Sequence, residues 1–140
     1  MKLVVDAGVA LKWFFADRDA ESDTASATAI LDRFAAGEIA LVAPCHFQAE
    51  VCAVLTREAP AAMLRHLARL IDLSIPVVDD APTIARAMRL SNELGHHLFD
   101  TLYHAVALEE DATLVTADRR YLTKAGGRGN IADLATWESR

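Results

Sequence analysis

Short apolar runs alternate along this chain with stretches of helical periodicity, and that alternation leaves few folds open. Four runs read as strands: Leu3-Val4-Val5, Ala40-Leu41-Val42, Ile75-Pro76-Val77-Val78 and Thr113-Leu114-Val115. Between them apolar residues recur at helical spacing, as on one buried face. Ala27, Ile30, Leu31, Phe34 and Ala35 form one such stripe, closed by Gly37. Phe47, Val51, Val54 and Leu55 form a second. Met63, Leu67, Leu70 and Ile71 form a third, opened by Pro60. The fourth, Ile84, Ala87, Met88 and Leu94, has Pro82 near its start and Gly95 past its end, the residues that open and close helices. A fifth helix is expected from about Asp100 to Glu110, and Ile131 to Leu134 offers a short fifth strand. Strands alternating with helices imply βαβ units and a mainly parallel sheet. Runs that are apolar throughout fit strands covered on both faces. The expected fold is α/β: a single domain over residues 1–140, with a mainly parallel sheet of four to five short strands flanked by helices.

Composition narrows the function classes. With 53% apolar and 24% charged residues the chain is globular rather than disordered. At 140 residues it can bury a core without disulfides or structural metals. Fourteen basic against 20 acidic residues give a formal charge of −6, which argues against coating nucleic acid by bulk charge. Local binding through a metal stays open. Cys45 and Cys52 are too few for a disulfide scaffold, so a reducing cytoplasm is expected. The apolar N-terminus is interrupted by Asp6 and Lys12, and no small-residue cleavage site follows. No apolar run of about 18 residues is present, so no membrane partner is expected. Gly126-Gly127-Arg128-Gly129 neither follows a strand nor opens a helix, and reads as a surface turn.

Acids stand at informative places. Asp6 follows the first strand directly, and Asp118 follows the fourth. Ligands of open α/β sheets bind beyond the carboxyl ends of the strands. For each residue taken alone, capping the next helix is the better reading. Glu50 lies on or beside the apolar stripe of Phe47, Val51 and Val54, where an ionised carboxylate is costly without compensation. Asp100 opens the helix carrying Leu102, Ala105, Val106 and Leu108, again as a cap if taken alone. Four carboxylates brought together change the balance. Like charges about 5 Å apart repel by roughly 3 kcal/mol per pair at an effective dielectric near 20. Such a cluster needs protons or a cation, and oxygen ligands favour Mg²⁺ or Mn²⁺ over zinc.

These segments together resemble the PIN-domain family, and within it the VapC-type toxins of bacterial toxin–antitoxin pairs. The resemblance rests on Leu3-Val4-Val5-Asp6-Ala7, Glu50, Phe99-Asp100-Thr101-Leu102-Tyr103-His104-Ala105-Val106-Ala107 and Leu114-Val115-Thr116-Ala117-Asp118-Arg119-Arg120-Tyr121-Leu122. It implies a Mg²⁺- or Mn²⁺-dependent endoribonuclease whose metal-holding acids are Asp6, Glu50, Asp100 and Asp118. It implies that Thr116 orients the site through its hydroxyl. It also implies an RNA substrate, a homodimer and a cognate antitoxin that inhibits by filling the groove. Two positions depart from the family pattern: Gly8 where Ser is frequent, and Ala53 where Asn is frequent. These departures motivate a second reading, a PIN fold kept as a binding module with impaired catalysis.

Other features have competing accounts. His97, Asp100 and His104 have spacing compatible with zinc, but capping, packing or solvent contact is preferred for the histidines. Asp79-Asp80 resembles the acidic pair of a receiver domain, a third reading, although it follows the wrong strand; Asp80 before Pro82 is better read as an N-cap. Trp13-Phe14-Phe15 cannot all face inward on one helix, so at least one is expected to cover a partner. Arg119 and Arg120 can contact RNA phosphates or simply face water.

Overall fold

A computed structural model describes residues 1–18 and 21–137. Its main sheet has four strands, β1 (Lys2–Val5), β2 (Ala40–Leu41), β5 (Thr113–Thr116) and β6 (Ile131–Asp133). They are all parallel, in the order β2-β1-β5-β6. A separate parallel pair joins β3 (Ala43–Pro44) to β4 (Val77–Val78). The run Ile75–Val78, expected among the strands, therefore pairs outside the main sheet. Its one buried neighbour strand is too short to carry the sheet further, and Val77 stays exposed.

Around the sheet lie α1 (Ala7–Leu11), α2 (Thr24–Ala35), α3 (Phe47–Glu58), α4 (Met63–Asp72), α5 (Ala81–Leu94), α6 (Leu98–Glu109) and α7 (Arg119–Ala125). A 3₁₀ turn, Gly126–Arg128, and Gly129 lead into β6. The expected fifth strand is thus real and closes one edge of the sheet. Helix α5 begins as its sequence signals: the Asp80 carboxylate accepts from the Thr83 amide at 3.0 Å, and Pro82 sits in the first turn. It ends at Gly95 in the left-handed conformation, φ 59°, which glycine adopts without steric cost. Pro60 lies before α4 rather than inside it.

Burial explains the order of layers. Val4, Val115 and Val106 are fully buried, with Leu3 and Leu114 nearly so. They form one cluster in which α6 packs across β1 and β5. Helix α6 is almost wholly buried from Thr101 to Ala107, because α5 covers its other side through Ala87 and Leu90. Thr101 fastens that pair by donating its hydroxyl to the Ala87 carbonyl at 2.8 Å. Helix α3 reaches the same end of the sheet by packing on α1.

The aromatic run departs from expectation. Helix α1 stops at Leu11, so Trp13, Phe14 and Phe15 lie in turns and are not bound to one helical face. Phe15 is buried, Phe14 rests on His66 with ring centroids 5.0 Å apart, and the Trp13 indole donates to the Ala27 carbonyl at 2.9 Å. None of the three is left exposed.

Candidate acidic metal site

Parallel register positions the first two acids. Val5 of β1 stands opposite Val115 of β5, so the chains leave the sheet side by side. One step on, Asp6 meets Thr116, whose hydroxyl donates to the Asp6 carboxylate. The other Asp6 oxygen caps α1, accepting from the Val9 amide at 2.9 Å. Asp118 caps α7 in the same way, accepting from the Tyr121 amide at 3.1 Å. The Thr116 hydroxyl also accepts from the Asp118 amide at 3.0 Å. Capping and convergence are therefore compatible here: each carboxylate spends one oxygen on its cap. Asp100 differs from expectation. His97 occupies the N-cap of α6, and Asp100 sits in the first turn, facing the cleft.

Asp6, Glu50, Asp100 and Asp118 all line one cleft of about 340 Å³, together with Gly8, Lys12 and Tyr103. They are not equivalent. Burial pushes the Asp6 carboxyl up to about 6; the Thr116 and Val9 hydrogen bonds oppose this, and the charges of Asp118 and Asp100 add to it. Glu50 goes the other way. Burial alone would raise it, but hydrogen bonds from His46 and Tyr103 outweigh burial and hold it below the usual carboxylate range. The Tyr103 hydroxyl donates to Glu50 at 2.6 Å, and His46 Nε2, which donates to the Phe99 carbonyl at 2.7 Å, lies 3.1 Å from the same Glu50 oxygen. Burial and the neighbouring Glu50 charge keep the Tyr103 phenol protonated, as a donor must be.

Three participants escape a sequence reading. His96 Nε2 lies 2.8 Å from Asp100, with its ring tilted on Tyr121 at 4.9 Å between centroids. One ligand atom each from His96, Asp100 and Asp118 lie within 4.8 Å of one another. Around an octahedral ion with ligands near 2.1 Å, donors stand roughly 3 to 4 Å apart, so these atoms lie close enough to share one divalent ion. His96 gave no signal beyond its spacing to Asp100, and the zinc alternative named its neighbour His97. Tyr103 is a second, hidden inside an apolar helix. Lys12 is the third: a lone charge between Leu11 and Trp13 is a usable signal. It is buried, and its ammonium donates to the Ser22 carbonyl at 2.8 Å and to Glu21 at 3.3 Å.

His104 belongs to the scaffold. Its Nε2 meets the Gly129 carbonyl and its Nδ1 meets the Tyr121 hydroxyl, both at 2.8 Å. A carbonyl only accepts, so Nε2 carries the proton. Burial disfavours the imidazolium, which leaves Nδ1 to accept from Tyr121. Both nitrogens are occupied, and none is free for zinc.

The PIN-domain profile matches residues 3–127. No curated protein matches the chain significantly in sequence. Among solved structures the chain is similar to PAE2754 from Pyrobaculum aerophilum, 25% identical, with a TM-score of 0.66 over 97% of this chain and 91% of that one. It is also similar in fold to a toxin–antitoxin complex from Klebsiella pneumoniae, 14% identical, TM-score 0.69, covering 94% of this chain and 97% of the other. VapBC2 from Rickettsia felis bound to a DNA fragment from their promoter aligns at 17% identity and TM-score 0.63, over 99% of this chain and 100% of that one. The profile match runs from β1 through α7 and takes in every segment that lines the acid cleft, so the chain belongs to the PIN-domain family.

Proposed function

We propose that this chain is a divalent-metal-dependent endoribonuclease that acts as the toxin of a toxin–antitoxin pair. The observation that carries the nuclease reading is the convergence of Asp6, Glu50, Asp100 and Asp118, from four segments, on one cleft whose lining includes a single cation, Lys12. Mg²⁺ or Mn²⁺ held by Asp6, Asp100 and Asp118 would activate water and neutralise charge on the scissile phosphate. The chain's own residues fix the rest. Thr116 and the Val9 amide lock the Asp6 carboxylate in place. Tyr103 and the nearby His46 hold Glu50 ionised at the cleft wall, where it can orient the attacking water as a hydrogen-bond acceptor. Water is the nucleophile in this scheme, because both hydroxyls beside the acids are already engaged, Thr116 with Asp6 and the Asp118 amide and Tyr103 with Glu50.

The toxin reading is supported by the likeness to toxin–antitoxin complexes. It carries with it a cognate antitoxin as partner, a cytoplasmic setting and residues 1–140 as one domain. Among the described residues no helix is long and apolar enough to cross a membrane. The proposed homodimer has a different basis from the buried aromatic run: Leu64, Ile71 and Val77 are large apolar side chains left exposed on α4 and β4.

A labelled single-stranded RNA incubated with the protein tests the reading. Cleavage should need Mg²⁺ or Mn²⁺, stop with EDTA, and vanish in Asp100→Asn. RNA that stays intact with either ion contradicts it. The binding-module alternative is favoured by Gly8, where an added Cβ would lie 3.4 Å from Asp6 Oδ1, so the position borders the acids without supplying a hydroxyl. RNA bound but never cut would select that alternative. Co-expression with the neighbouring reading frame tests the toxin role: it should relieve growth arrest, and arrest that persists would remove the antitoxin claim.

A further inference from the structure

We propose that the cleft bordered by His97, Arg120 and Lys124 binds the phosphate backbone of a single-stranded nucleic acid as it leaves the acid cleft. The inference rests on the nuclease reading for its substrate class. This second cleft, about 350 Å³, contains no carboxylate in its lining, although the chain as a whole is acidic. It shares a wall with the acid cleft: His96 lines it and bonds Asp100, which lines the other.

The arginines of this protein divide by whether their charge is already used. Arg119 is held by Asp133, Arg86 by Glu109 at 2.7 Å, and Arg128 by Glu93. Arg120 is exposed and, like Arg57, Arg65, Arg69 and Arg89, has no ion-pair partner among the described residues; of these five only Arg120 lines this cleft. Lys124 makes no ion pair either; its ammonium donates to the Gly95 carbonyl at 2.9 Å. Arg120 and Lys124 are four residues apart on α7, so they stand on one face about 5–6 Å apart at Cβ. That helix begins directly after Asp118. A strand whose scissile phosphate sits among Asp6, Asp100 and Asp118 therefore meets these two cations next along α7. The need is physical. A chain of charge −6 repels a polyanion everywhere except where cations are local. Phosphate contacts of this kind fix register and carry no base preference.

The test is fluorescence anisotropy of a labelled oligouridylate in EDTA, titrated across a range of NaCl. Metal-free binding is the right probe because the proposed lining holds no acid. Arg120→Gln/Lys124→Gln should flatten the log–log salt dependence by about 1.4, from about 0.7 for each phosphate contact on a single strand. Arg120→Glu, at an exposed side chain, should weaken binding further in the same direction. Arg119→Ala, whose charge Asp133 already holds, should leave the slope at the wild-type value. An unchanged slope in the double variant overturns the proposal. So does equal flattening by Arg119→Ala, or a wild type that does not bind in EDTA. The nuclease reading is scored separately, by cleavage with Mn²⁺. A protein that binds with the expected slopes and never cuts keeps this cleft and loses that reading. One that cuts while the slopes stay equal does the reverse.

Discussion

Two adjoining clefts, one acidic and one without any acid, are divided by a single hydrogen bond between His96 and Asp100. They are built by different rules. Acid-cleft side chains are tied down: Asp6 by two hydrogen bonds, Asp118 by its helix cap, and Glu50 by the Tyr103 hydroxyl with His46 beside it. The basic rim is loose, with Arg120 exposed and making no ion pair among the described residues. A site that must hold charge at fixed distances needs rigid supports. A surface that only attracts a flexible polyanion does not. The difference teaches where substitutions should affect chemistry and where they should affect only binding.

Breaking the acid cleft should cost most. Asp100→Asn should cut metal-dependent RNA cleavage by about a thousandfold or more, on the scale of losing one preorganised charge-stabilising group. Its fold should survive, because Asp100 is not the N-cap of α6. Single-turnover kinetics with a circular dichroism control measures both. Cleavage that survives would return the site to a set of helix caps.

A pH effect of up to about 3 kcal/mol comes next. The folded Asp6 carboxyl stands at about 6, above its value in the unfolded chain. Its protonated form therefore stabilises the metal-free fold fully at low pH. That contribution is lost as pH rises from about 4 to about 6, and is flat above. Urea denaturation in EDTA should show this loss as the difference between wild type and Asp6→Asn. A difference that grows with pH in the opposite direction would contradict the burial of Asp6. Saturating Mn²⁺ should reverse the penalty, since an ion at 100 times its Kd adds about 2.7 kcal/mol.

The dividing bond should matter less. His96→Asn should weaken Mn²⁺ binding by about tenfold, the lower end for loss of a group that orients a ligand. Calorimetry with Mn²⁺ reads it directly. An unchanged affinity would make His96 a wall residue only. Smallest is Arg120→Gln, which should raise the KM for RNA a few-fold and leave kcat within about twofold. A fall in kcat alone would move Arg120 from the binding rim into the chemistry.

Much of this arrangement was legible because it follows from local pattern. The apolar runs at Leu3–Val5 and Thr113–Val115 foretell β1 and β5, whose shared register brings Asp6 to Thr116. Pro82 and Gly95 bracket α5 as expected. Other parts depend on contacts far apart in sequence. Nothing near Glu50 announces that Tyr103, 53 residues on, will hold its charge. The pairing of Val77–Val78 with Ala43–Pro44 is equally non-local, which is why a run suited to the main sheet lies outside it. The aromatic run misled through a wrong helix length: five residues of α1 end before Trp13. Like charge and burial are both expected to raise an acid of the cluster, and Asp6 is raised by both, with burial the larger cause and Asp118 and Asp100 the smaller. Sequence spacing shows which charges meet, and only packing shows how dry they are.

The most direct measurement is anomalous diffraction from crystals soaked in Mn²⁺. We expect one ion bound by Asp6, Asp100 and Asp118, with His96 beside it and Glu50 still bonded to Tyr103. An ion bound elsewhere on the surface, or a cleft that stays free of metal at saturating Mn²⁺, would contradict the account.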